Sequence, residues 1–123
     1  MQKTFYIIAS ISGFLAVAIG AFGAHGLKNI LEKYQRIETF NTGVQYHFYH
    51  TFALLSVAIL MNQYNSKSLH YAGWSFFSGI ILFSGSLYVL SVTNITKLGA
   101  ITPIGGLLFL SGWIFILFTI LKN

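Results

Sequence analysis

The chain has 123 residues, of which 7% are charged and 55% hydrophobic, against about 25% charged residues in an ordinary soluble domain. So little charge cannot cover a water-facing globule, and so much apolar side chain excludes disorder. The absence of cysteine excludes a disulfide scaffold and any thiolate metal site.

What remains is a single-domain, all-α integral membrane protein. Residues 4–27, 39–66, 68–96 and 98–121 contain no Lys, Arg, Asp or Glu. A helix crossing the hydrocarbon layer needs roughly 20 apolar residues. Each run therefore predicts one span, over residues 5–27, 41–61, 72–92 and 102–121. The runs lack the alternation of a membrane barrel strand, so helices are expected. The first run continues past the length of a signal-peptide core, through Gly20, Gly23 and Gly26, and is expected to be retained.

Four crossings predict an up-down-up-down bundle with both termini on one side. Lys3, Lys67 and Lys122 then lie at one face, and Lys28, Lys33, Arg36 and Lys97 at the other. This near-even split selects no orientation under the positive-inside rule. The net charge of +5 comes from these flanking residues. They suit anionic lipid headgroups and form no patch for nucleic acid. Between the first two spans, Ile30, Leu31, Tyr34, Ile37 and Phe40 recur at helical spacing. Residues 28–40 are thus expected to include a short amphipathic helix in the headgroup plane.

Helices in lipid associate where small residues let their backbones approach. Ala9, Gly13, Ala16, Gly20 and Gly23 form such a stripe on the first helix. Gly79 and Gly85 on the third helix, and Gly105 and Gly112 on the fourth, are further packing candidates. Stripes of this kind serve packing within the bundle, a homo-oligomer, or docking onto a larger membrane complex.

Placed by depth in such a bundle, His25, Gln45, Tyr46, His47, Tyr49, His50 and Thr102 converge on the membrane face away from the termini. His47 and His50, three residues apart, share a helix face. With His25 they are candidate ligands for a metal or a haem. The same imidazoles suit proton transfer, or simply the capping of free helix-end groups. Thr102 is expected to cap the last helix, with Pro103 in its first turn.

Four motifs carry a resemblance over nearly the whole chain. They are Gly20-Ala21-Phe22-Gly23-Ala24-His25-Gly26-Leu27, Val44-Gln45-Tyr46-His47-Phe48-Tyr49-His50, Gly79-Ile80-Ile81-Leu82-Phe83-Ser84-Gly85-Ser86-Leu87-Tyr88, and Leu98-Gly99-Ala100-Ile101-Thr102-Pro103-Ile104-Gly105-Gly106. Together they resemble domain-of-unknown-function family 423, the YwdK/YgdD-like small inner membrane proteins. The resemblance implies a four-helix protein of the cell (inner) membrane and supplies no activity.

The residues themselves argue against a stand-alone enzyme, since no span holds a carboxylate or a nucleophile–base pair. A small transporter or channel usually places a charge at mid-membrane, and none is present. The expected class is a binding, accessory or structural membrane module. A small oligomeric transporter is the first alternative, and a haem- or metal-binding protein the second.

Overall fold

The computed structural model describes residues 1–123, and its regular structure is entirely helical. Helix α1 covers Gln2–His25 and is capped by Gly26. A short α2 (Lys28–Lys33) follows, then α3 (Ile37–Leu60). Helix α4 (Lys67–Gly79) starts at Ser66, whose side chain accepts from the Ser68 N–H. It passes through a π-helical turn, Ile80–Ser84, straight into α5 (Gly85–Thr93). These three pieces form one rod, which stops at Asn94 in a left-handed conformation, φ 57°. A 3₁₀ turn, Thr96–Ala100, leads into α6 (Thr102–Lys122).

The short helix expected within 28–40 is present as α2, and it does not run on to residue 40, because Gln35 takes a left-handed φ of 55° that no helix interior accommodates. The rest of that segment, from Ile37, is the first turn of α3. Thr102 does not cap α6; the cap is Ile101, which makes no side-chain capping bond. The Thr102 hydroxyl instead pairs with Ser86 Oγ at 2.6 Å, so it ties α6 to α5.

Three helical stretches are long and apolar enough to cross a membrane: Gln2–His25, Lys67–Thr93 and Thr96–Lys122. Helix α3, expected as one of four spans, is not among them. Its central part carries Gln45, Tyr46, His47, Tyr49 and His50, and these interrupt the apolar run.

The packing explains where that polarity goes. Helix α1 lies antiparallel on α3. Gln2 bonds to the Ala58 carbonyl at 2.7 Å near one end, and Gly23 sits under the Phe40 ring near the other. The third rod crosses the opposite side of α3, where Ser84 Oγ donates to the Gly43 carbonyl at 2.7 Å. Helix α6 packs antiparallel on that rod, with Gly105 against the Phe83 backbone and Gly112 against the Phe76 ring. Helix α3 is thus central, with partners on both sides. It buries Phe40, Gly43, His47, His50, Thr51, Ala53, Leu54, Val57 and Ala58. The continuous apolar core lies toward the terminal end, around Phe5, Ala53, Leu54, Val57, Leu69, Ala72 and Phe76.

The glycine stripe on α1 faces α3. A Cβ at Gly23 would stand 2.1 Å from Phe40 Cε1, one at Gly20 3.3 Å from Val44, and one at Gly13 3.5 Å from the Thr51 methyl. Ala9 and Ala16 are buried on the same stripe. Gly79 lies against Phe109. Gly85 departs from the expectation of packing, since a Cβ there would meet nothing within 4 Å.

Candidate functional site

The buried polar residues of the interior gather near the middle of the helices, not at their ends. His47 and His50 flank the midpoint of the 24-residue α3, because that helix begins at Ile37 and not near residue 41. Ser12 lies near the midpoint of the 24-residue α1. It occupies the stripe of Ala9 and Ala16, at helical spacing from both.

His47 links three helices. Its Nδ1 is 2.8 Å from the Tyr88 hydroxyl of α5, and its Nε2 is 3.0 Å from Ser12 Oγ of α1. Ser12 Oγ is 2.6 Å from Thr51 Oγ1, and the Thr51 hydroxyl donates to the His47 carbonyl at 2.9 Å. Counting protons gives the chain a direction. The only proton of Thr51 goes to the carbonyl, so Ser12 donates to Thr51. Ser12 therefore accepts from His47 Nε2–H. In the neutral ring Nδ1 then accepts from the Tyr88 O–H. Four consecutive bonds run one way and end on a backbone carbonyl.

His50 is held equally firmly on the other side of α3. Its Nδ1 lies 2.8 Å from the Tyr46 carbonyl, which can only accept. The Trp113 indole N–H donates to its Nε2 at 3.2 Å. The ring is thus neutral and protonated at Nδ1. It also stacks on Phe109, with centroids 3.5 Å apart and planes 5° from parallel.

These bonds decide what the histidines can hold. Both ring nitrogens of His47 and of His50 are engaged in hydrogen bonds, so ligation of a metal or haem iron there would require breaking one of them. His25 is exposed at the end of α1. It lies thirteen residues beyond Ser12, about 20 Å along the helix axis, and so does not join His47. No three His, Asp or Glu side chains converge as a metal site. Of the other candidates, Gln45, Tyr46 and Tyr49 are exposed, and Thr102 joins Ser86.

Ser12, Thr51, Tyr88 and Trp113 complete the arrangement; of these only Tyr88 stood in a motif noted from the sequence, and none was a site candidate. Ser12 was legible as the one hydroxyl on the α1 packing stripe. Trp113 had no such signal, because aromatic residues are common in apolar helices.

Two grooves flank the centre. Helix α1 meets α4 where Phe5 sits over Gly73 and against Trp74. Farther along the two diverge, leaving a groove of about 480 Å³ lined by Ile8, Ile11, Leu15, Phe77, Ile80 and Ile81, with Gly85, Ser12, His47 and Tyr88 behind. On the other side a groove of about 590 Å³ is bounded by Tyr46, His50, Phe83, Phe109 and Trp113. Both grooves have mainly apolar walls.

Residues 19–106 match the family described as "Protein of unknown function (DUF423)". The chain belongs to this family. It is 51% identical over 123 residues to "UPF0382 membrane protein YwdK" of Bacillus subtilis (strain 168), covering 98% of each chain. A UPF0382 membrane protein of Staphylococcus aureus is 42% identical over 121 residues, again covering 98% of each. One of Haemophilus influenzae is 42% identical over 123 residues, covering all of this chain and 98% of the relative. No solved structure matches. The relatives are named as membrane proteins, in agreement with the apolar helices, and the chain is a membrane protein of this family.

Proposed function

We propose that the chain is a multi-pass protein of the cell inner membrane with four crossings, α3 included, and that it works as a structural or accessory module without catalytic chemistry of its own. The observation that carries this reading is the saturation of the interior polar groups. Of the side chains that would ligate or catalyse, His47 uses both nitrogens to join α3 to α1 and α5, and His50 uses one within α3 and the other to join α6. A polar group inside a bilayer that is fully paired acts as a specific fastener between helices. Central placement also removes the obstacle to α3 crossing the membrane, since its histidines face protein and not lipid.

The test has two arms. Single cysteines placed in the otherwise cysteine-free chain at Lys33 and Asn94 are expected to react with an impermeant maleimide from one side of the membrane. Cysteines at Asn62 and Asn123 are expected to react from the other; labelling of all four from one side would overturn the four-crossing topology. Isolation from membranes in mild detergent is expected to yield the chain in a stoichiometric assembly. Substrate-dependent flux in vesicles holding the purified chain alone would overturn the module reading in favour of a transporter.

A further inference from the structure

Helix α3 leaves one face uncovered. Asn41, Gln45, Tyr49, Phe52 and Ser56 recur at steps of four and three and are all exposed, opposite the buried face of Gly43, His47 and Leu54. Ser56 closes its hydroxyl on its own helix, at the Phe52 carbonyl. The amides of Asn41 and Gln45 and the Tyr49 hydroxyl have no such outlet. The side-chain bonds of α3 are made by Thr42, His47, His50, Thr51 and Ser56.

Depth makes this consequential. Tyr49 sits at the midpoint of the 24-residue helix. Gln45 lies about 5 Å from that midpoint at 1.5 Å per residue, well within the roughly 15 Å half-thickness of the hydrocarbon layer. A bare carboxamide facing acyl chains there is strongly unfavourable, because nothing in lipid replaces its bonds to water.

We infer that this face is the interface between two copies of the chain, related by a two-fold axis along the membrane normal, with the Gln45 carboxamides paired across it. The inference rests on α3 being a crossing helix, as proposed above. A second copy is the occupant that the chemistry selects. A carboxamide is both donor and acceptor, so two of them related by a two-fold axis close reciprocal N–H···O=C bonds. The stripe from Asn41 to Ser56 carries no charge that would call for an oppositely charged partner. The adjoining edge of α1 carries Ser10, Gly13 and Val17 at helical spacing. Gly13 has only the Thr51 methyl near it, at 3.5 Å, so this edge leaves room for close approach.

Because the chain lacks cysteine, single-cysteine variants report cleanly. Gln45→Cys and Tyr49→Cys, oxidised in native membranes with copper–phenanthroline, are expected to give a disulfide-linked dimer. Leu110→Cys and Ile81→Cys, exposed on other faces, are expected to stay monomeric. In vesicles of graded protein-to-lipid ratio, energy transfer between labelled copies should report an association that Gln45→Leu weakens about tenfold, the scale of one or two interhelical polar bonds. Gln45→Asn should restore most of it. Helix content by circular dichroism checks that Gln45→Leu is folded. Equal cross-linking at Leu110, or energy transfer unaffected by Gln45→Leu, overturns the inference. A different polypeptide cross-linked at Gln45→Cys in place of a second copy overturns it too, while the module reading stands. Ready reaction of Gln45→Cys with an impermeant maleimide would remove α3 from the bilayer, and the four-crossing reading would fail with it.

Discussion

Helices α3 and α6 are similar in length, 24 and 21 residues, and opposite in chemistry. Helix α6 is apolar almost throughout and buries only Gly105, Phe109, Gly112 and Thr119, a narrow stripe at helical spacing. Its exposed face carries Leu107, Leu110, Ile114, Leu117 and Leu121. Helix α3 holds two histidines and buries more than twice as many positions. In water the more apolar helix would be the inner one. Here the more polar helix is central, because lipid is as apolar as leucine and offers no hydrogen bonds. Packing therefore rests on backbone approach at α6 and on hydrogen bonds at α3.

That contrast can be broken in several places. The largest effect is expected at Gly105, where a Cβ would stand 2.3 Å from the Phe83 backbone nitrogen. A backbone neighbour cannot rotate aside, so Gly105→Ala should destabilise the α6 contact by about 3 kcal/mol or more. Thermal unfolding in bicelles reads it, and wild-type stability would refute the close approach.

His47→Phe comes next. It leaves the Tyr88 and Ser12 hydroxyls without their ring partner, and a loss of about 2 kcal/mol is expected. Adding Tyr88→Phe should recover part of this loss, since the orphaned donor is then gone. Purely additive losses would show that the two residues are not coupled.

A smaller loss, about 0.5–1 kcal/mol, is expected for Trp113→Phe. The ring remains, and only the bond to His50 is removed. The smallest effect belongs to Gly85→Ala, whose Cβ enters open space. A change within about 0.5 kcal/mol is expected. A large loss there would mean that the groove beside Gly85 is filled by another molecule in the membrane.

Much of the architecture was legible from residue spacing. The α1 stripe of Ala9, Gly13, Ala16, Gly20 and Gly23 does face another helix, and the small size of these residues is the reason. Gly85 and Gly105 show the limit of that logic. Both are glycines in apolar helices, yet one meets open space and the other a backbone. Helical spacing gives the angle of a residue around its own axis and says nothing of the neighbour's distance. The π-turn at Ile80–Ser84 had no sequence signal. It carries Ser84, whose hydroxyl donates to the Gly43 carbonyl.

The candidate site was legible in part. His47 and His50 were singled out as residues opening the second long helix, whereas they lie at its middle. The start of α3 was set by the charge at Glu38, whereas the helix accepts Glu38 in its first turn and begins at Ile37. A carboxylate is favourable at a helix N-terminus, so a charge did not mark the boundary.

By itself, the sequence determined the membrane class, the helical content and the small-residue stripes, because these follow from transfer free energies and side-chain volume. Only the tertiary structure decided what the histidines do. Spacing put His47 and His50 on neighbouring positions of one face and left His25 free to join them. Packing sends the first toward Ser12 and Tyr88, the second toward Trp113 and Phe109, and leaves the third apart. A hydrogen bond is set by distance and direction between separate helices, and neither is written in the order of residues along one.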